Sequence, residues 1–548
     1  MTVHGHGSRP YQWVGDWSAR RRQLSPDAVG LQDATTGEAY TYRELDERAN
    51  ATARLLDDHG VSKDSPSAEP APAGGDVGEA AVGGRVAVVS RNRPELVDLF
   101  FATGKTGGVL APLSHRLAER ELAELLDDVA PSLLVVEEAF DDAIAGALAH
   151  DACGYDGPVL GLGDSRYDAF AEAVPDDAAA FDGPDLSMRD AHMFLHTGGS
   201  TGTPKETVLT HGGIAWNSFN TITAWGLRPE DVTPMVFPMF HTGGWNVLTL
   251  PLFHLGAEIV IAREFDAEQV LELVDEDDAT VLVAVPAVLR MMTEAEGWAS
   301  ADLSTLRFAK SGGGPCRQSV MEEWWSRGVD LSQGYGLTEC GPNNFAMPDG
   351  WSHEKADSVG VPGMHVDARV VDDDGEEREQ GEVGELELAS PHAADRYWHA
   401  PEESRETFGA RDGDGDAGDD DARAWVSTGD LARVDEAGYV HIEGRKKEMF
   451  VSGGENVYPA EVEDVLSQHA KVDDVVVVPV SDDTWGEVGK AVVVGDESLS
   501  LADLEAFCDG KLARFKIPKH LAFVDEMPTS GPSKIDRGAV EARFGDGE

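Results

Sequence analysis

Positive charge is scarce in this chain. Lysine and arginine number 44 against 101 aspartates and glutamates, a formal charge of −57. So acidic a surface repels nucleic acid and anionic membranes, which excludes both as partners. The acids are spread along the whole length rather than gathered in a tail. That pattern is expected of a protein kept soluble in strong salt, where screening acts over about 3 Å at 1 M. It reads as the adaptation of a halophile, not as function. Cysteine is scarce as well. Cys153, Cys316, Cys340 and Cys508 lie far apart with no C-x-x-C, so neither a disulfide framework nor a zinc site is suggested. Long apolar runs are missing. The stretch 281–289 is too short to cross a bilayer, and the first ten residues hold no apolar signal core. A soluble cytoplasmic protein without stable membrane insertion is the expectation, with oligomeric state left open.

What is present is a chain of 548 residues, 41% hydrophobic, enough for globular cores and too long for a single one. At roughly 150 residues per domain, about three or four units are expected. Thr41 with Glu44 three residues on predicts a capping box and a helix start. Short apolar runs at 86–90, 107–113 and 133–136 alternate with helical patterns at 94–103 and 117–126, which indicates parallel α/β layers. The alternation resumes at 234–245, read as strand then turn. It continues with strands 257–261, 281–285 and 307–310, and helices 267–273 and 286–292. From 366 onward, strands separated by Asp/Gly turns indicate an antiparallel module, read as a small β-barrel. The last hundred residues mix strands and helices into a separable α+β unit. The segments 62–84 and 411–423 read as insertions, the first mobile, the second acidic. Asp412, Asp414 and Asp416 imitate an EF-hand start, but Ala417 and Arg423 stand where glycine and glutamate are needed.

The stretch most suggestive of chemistry is His-Thr-Gly-Gly-Ser-Thr-Gly-Thr-Pro-Lys at 196–205, directly after an apolar run. Glycines let backbone N–H groups curl around an anion, hydroxyls add donors, and Lys205 adds a charge. It is not a Walker A loop, since Pro204 precedes the lysine and Glu206 follows it. Gly198 to Gly202 fits G-x-S-x-G, which keeps a serine hydrolase at Ser200 open. Pro204, however, stands where the helix of such an elbow must grow.

Five further stretches follow in order: Ser-Gly-Gly-Gly-Pro at 311–315; Gly-Tyr-Gly-Leu-Thr-Glu at 334–339; Ser-Thr-Gly-Asp at 427–430; a basic-then-glycine segment at 444–461 containing Arg445, Lys447 and Ser-Gly-Gly-Glu-Asn; and Pro-Thr-Ser-Gly-Pro-Ser-Lys at 528–534. Together with the loop they resemble the adenylate-forming superfamily, which includes acyl-CoA synthetases, over about 40–534. The resemblance implies a large N-terminal domain, 1–444, of two layered α/β subdomains plus the antiparallel barrel. A hinge at 445–447 and a small mobile C-terminal domain, 448–548, would follow.

It also implies the chemistry. A carboxylic acid attacks the α-phosphorus of ATP, pyrophosphate leaves, and coenzyme A then displaces AMP. Thr197, Gly199, Ser200, Thr201, Gly202, Thr203 and Lys205 would wrap the phosphates, and Glu339 would hold Mg²⁺. Thr338 would bond the α-phosphate. Tyr335, between Gly334 and Gly336, would cover one adenine face, with Gly313, Gly314 and Pro315 on the other. Asp430 and Arg445 would hold the ribose, and Lys534 would offset charge in the transition state. Lys447 falls on the hinge position. The turn Gly453, Gly454, Glu455 resembles the acyl-CoA synthetase form of its motif and would meet CoA. His241 would gate the thiol, and Trp245, Asn343, Asn344 and Phe345 would line the acyl pocket. A medium- or long-chain fatty acid or an aromatic acid is expected, with a carrier-protein-loading adenylation enzyme as the alternative. Two departures stand out. Gly198 replaces a serine, and Glu206 replaces a glycine beside Lys205, where an acid would alter the lysine's field. Pro532 also stiffens the loop carrying Lys534.

Overall fold

The computed structural model describes residues 16–70, 78, 80–197, 205–276, 279–411, 424–452, 455–482, 484–509, 511–529 and 535–545. Gly198, Gly199, Ser200, Thr201, Gly202, Thr203, Gly453, Gly454, Pro532, Lys534 and the aspartates of the EF-hand-like run lie outside the described residues.

The largest sheet has eight strands. Its centre is parallel: Val109–Leu113, Arg85–Val89, Leu133–Glu137 and Val159–Leu162 lie side by side. The three strands Arg85–Val89, Val109–Leu113 and Leu133–Glu137 are buried at every position, as continuous apolar runs covered by helices on both faces require. Helix Pro94–Thr106 follows the first and helix Glu119–Val129 the second. Next to this core, Ala191–Thr197 and Lys205–Thr210 form an antiparallel hairpin, and the segment 198–204 connects them. A four-stranded sheet joins Val29–Asp33 and Glu38–Thr41 to Val232–Met235 and Glu258–Ile261. A three-stranded parallel sheet, Val281–Ala284, Phe308–Ser311 and Leu331–Gln333, packs on its own core around Trp324.

The capping box at Thr41 is formed: Glu44 N donates to Thr41 Oγ1, and Thr41 N donates to the Glu44 carboxylate at 2.8 Å. The helix it starts, Tyr42–Asp58, packs on Pro94–Thr106. The N-terminal helix Trp17–Leu24 carries no apolar period in the sequence. It is held instead by charge, since Lys105 Nζ bonds Asp16 at 2.5 Å and Asp46 at 2.7 Å.

The insertion read as mobile over 62–84 is anchored where it is described. Glu69 pairs with Val82 across an isolated bridge, and Ala80 and Val82 are buried. The segment read as a turn after Val232–Met235 is a π-helix, Gly243–Val247, buried throughout. The antiparallel module is a sheet ordered Asp367–Val371, Gly384–Ala389, Ala424–Val434, Ala410–Arg411, with Val440–Arg445 also on Ala424–Val434. Among the described residues no pairing closes it into a ring.

The C-terminal sheet places Gly486–Gly495 between Val472–Asp482 and Phe450–Ser452, with His520–Phe523 parallel to it. Its helix Pro459–Ser467 packs beside Val440–Arg445 of the large domain. Arg317 and Asp474 form an ion pair across the same boundary, 3.1 Å long and partly exposed on both sides.

Lys105 and Asp46 are 2% and 4% exposed. Removing the lysine leaves Asp46 with Ser18 at 2.8 Å and Arg22 at 3.3 Å, so Lys105→Ala is expected to cost about 1–3 kcal/mol, read as a lower urea midpoint by circular dichroism.

Candidate active site

Three chain reversals meet at the C-terminal ends of parallel strands, where open α/β sheets place their ligands. The first follows Phe308–Ser311. Gly313 adopts φ +83°, and neither Gly312 nor Gly314 has any atom within 4 Å of a built Cβ. With Gly313, Gly314 and Pro315 exposed, this turn leaves room for a flat ligand against backbone. The second follows Leu331–Gln333. Gly334 N donates to Ser311 O at 2.7 Å, which ties the two turns together. At Gly336 a side chain is impossible, because a Cβ would sit 2.1 Å from Pro342 O. This close approach folds 334–344 back on itself and buries Thr338 and Glu339 in a 3₁₀ turn.

The third reversal is the hairpin root. Thr197 and Lys205 are register partners at its mouth. Lys205 Nζ bonds Glu403 at 3.0 Å and lies 5.8 Å from the Tyr397 ring centre. Tyr397 in turn donates its hydroxyl to Glu339 Oε1 at 2.7 Å. Burial, then the Glu339 charge, pushes the Tyr397 hydroxyl well above its usual pKa, so it stays a donor. Lys205 and Glu339 thus share one aromatic side chain that no sequence spacing singled out. Among the described residues no three carboxylate, imidazole or thiol groups converge on a metal site. A cation held at Glu339 would therefore take its remaining ligands from phosphate oxygens and water, which suits magnesium.

On the other side of 334–339, Tyr335 donates to Asp430 Oδ2 at 2.5 Å. Arg445 Nε pairs with Asp430 Oδ1 at 2.8 Å. Asp430 is placed by Gly429, at φ +69°, and by its own N–H on Thr428 Oγ1 at 3.1 Å. Burial, then Asp430, keeps the Tyr335 hydroxyl protonated. Lys446 N caps Gly429 O at 2.9 Å, and its ammonium bonds Glu385 and Asp373. Lys447 is exposed in the turn that follows, and Glu455 is exposed on the small domain.

Other candidates sit differently. His241 is exposed beside the π-helix, and its Nδ1 accepts from Gly243 N at 3.2 Å. Trp245 does not face an open pocket. It is fully buried, stacked on Phe100 at 5.4 Å, and donates to Met239 O. Asn343 is spent on Thr221 Oγ1 and two backbone carbonyls, and Asn344 on Cys340 O and His392. Asn344 thereby braces the 338–340 turn, and Asn343 ties this segment to the π-helix. Glu206 does not sit against Lys205. Neighbouring strand residues face opposite sides, and Glu206 is fully buried while Lys205 pairs with Glu403.

Known proteins resemble this chain over most of its length. The family model described as AMP-binding enzyme matches residues 79–398, and that of the AMP-binding enzyme C-terminal domain matches 461–534. A feruloyl-CoA synthase of Amycolatopsis sp is 33% identical, covering 97% of this chain and 99% of its own. An indoleacetate–CoA ligase of Aromatoleum aromaticum is 36% identical over 83% of this chain and 87% of its own. The structure of MatB from Rhodopseudomonas palustris with ATP bound superposes with a TM-score of 0.83 at 29% identity, covering 96% of this chain and 98% of that one. The chain belongs to the AMP-binding enzyme family: it is an AMP-forming acid–thiol ligase with ATP and coenzyme A as co-substrates.

Proposed function

We propose that the chain is an acyl-CoA synthetase that activates an aromatic acid, with Lys205, Glu339, Tyr335 and Asp430 as its nucleotide site. One observation carries the reading. The triads Lys205–Tyr397–Glu339 and Tyr335–Asp430–Arg445 flank the single folded segment 334–344. Lys205 and the loop 198–204 would take the phosphates, Glu339 the magnesium, and Asp430 the ribose, whose two hydroxyls both donate to a carboxylate. Thr338 would bond the α-phosphate and Lys534 would offset charge at the acid and α-phosphorus. Turning about Lys447 would then withdraw Lys534 and bring Gly453, Gly454 and Glu455 to the thioester step, with His241 at the thiol's approach.

The aromatic preference rests on two relatives. Ferulate and indoleacetate are the acids named for two relatives. Medium- and long-chain fatty acids are the competing substrates. No helix among the described residues is long and apolar enough to cross a membrane, which fits cytoplasmic action, and the −57 charge fits a salt-rich interior.

A panel of aryl and alkyl carboxylic acids in strong KCl, with ATP, Mg²⁺ and CoA, tests the substrate. Aryl acids should give thioester and AMP, whereas pyrophosphate release without any CoA dependence would favour a carrier-loading enzyme. Tyr335→Phe removes one bond to a charged acceptor and should raise the KM for ATP about tenfold. Lys534→Ala should abolish adenylation yet leave thioester formation from supplied acyl-AMP intact; equal loss of both half-reactions contradicts the domain turn.

A further inference from the structure

At the root of the hairpin, one residue inside Thr197 and Lys205, His196 and Glu206 face each other across the strands. Opposed residues of an antiparallel pair point to the same face, here the apolar layer where Phe194 meets Trp398. Glu206 is fully buried, and neither carboxyl oxygen has a hydrogen-bond partner. His196 Nδ1 is also buried and unpartnered. The two lie 3.9 Å apart. A buried polar atom without a partner costs about 1–3 kcal/mol, and here three stand together at the base of the loop.

Among the described residues no cation is recorded against Glu206 or His196. The charged group that acts on Glu206 is Asp128, at the end of helix Glu119–Val129, which is itself engaged by His399 at 2.9 Å. The group acting on His196 is His241, and beyond the Phe240 ring that stacks on His196 stand His115 and Arg116. Lys205 and Glu403 pair with one another, and alternation puts Lys205 on the opposite face. Every influence on Glu206 therefore favours the neutral acid.

We propose that Glu206 is a positioning residue that stays protonated and donates to His196 Nδ1, a clasp that closes the root of the phosphate loop and sets it to receive the triphosphate of ATP. The proposal rests on the nucleotide assignment made above. The clasp requires the carboxyl to approach Nδ1 from the 3.9 Å of this structure; the proton then stays on the carboxyl oxygen while imidazole Nδ1 accepts. Burial raises the Glu206 pKa to about 8 and lowers that of His196 to about 4, so both are neutral at pH 7. Above pH 8 the carboxylate ionises, can no longer donate, and places a buried anion beneath the arriving phosphates.

The sign follows from linkage. An acid whose folded pKa is raised is favourable while protonated, and its contribution to stability is lost as pH climbs from the unfolded value through about 8. If only the protonated form binds, the ATP dissociation constant rises about tenfold between pH 7 and pH 9. Calorimetric titration of ATP with Mg²⁺ into the wild-type protein and into Glu206→Gln in strong KCl measures this. The glutamine keeps a donor and cannot ionise, so its curve should stay flat while the wild-type curve climbs. Its thermal midpoint should also gain on the wild type as pH rises from 5 to 8. ATP binding with parallel pH curves for the two proteins, or parallel thermal midpoints, overturns the clasp. No ATP binding by either protein overturns the nucleotide assignment, and the clasp with it.

Discussion

The bond from the Tyr335 hydroxyl to Asp430, 2.5 Å long, adds a directional polar link between two sheets that already share one apolar core. Tyr335 hangs from the parallel sheet ending at Leu331–Gln333, whereas Asp430 belongs to the antiparallel strand Ala424–Val434. The same carboxylate takes Arg445 at the end of the next strand, where the chain turns toward the small domain. One carboxylate therefore ties the 334–344 segment to the last strand before the small domain. Its strength comes from burial: Asp430 is 6% exposed, and charge-assisted bonds gain most where water is excluded.

Charge is the second constraint. A reaction that brings a carboxylate to a triphosphate must proceed in a chain of net −57. The site meets this locally. Lys205 and Arg445 each stand by with an acidic partner, Glu403 and Asp430, and under the proposed assignment both would be shared with the nucleotide at short range. Strong salt screens the distant acids and leaves these close pairs as the field that a substrate meets.

Much of this was legible beforehand, for physical reasons. Glycine-rich turns announce themselves because only glycine tolerates Gly313's φ of +83° or the 2.1 Å approach at Gly336, and the fully buried strands read as unbroken apolar runs. The links between motifs were not legible. Tyr397 and Glu403 reach Lys205 from a two-residue edge strand, Arg396–Tyr397, and a short helix, Pro401–Phe408, with no periodicity or spacing to mark them. Trp245, Asn343 and Asn344 looked like pocket lining because the side-chain direction of a π-helix and of a folded-back turn is decided by packing. Glu206 was visible only as an oddity next to Lys205. Its meaning needed the register, which turns it to the opposite face and toward His196.

Arg317 and Asp474 form an ion pair between the two domains, and both of its ends are wet. Exposed pairs of this kind contribute about 0.2–1 kcal/mol in dilute buffer and less as ions crowd in. In concentrated brine such a contact acts as a brief handshake rather than a lock. The relative orientation of the two bodies then becomes a property of the surrounding electrolyte as much as of the polypeptide.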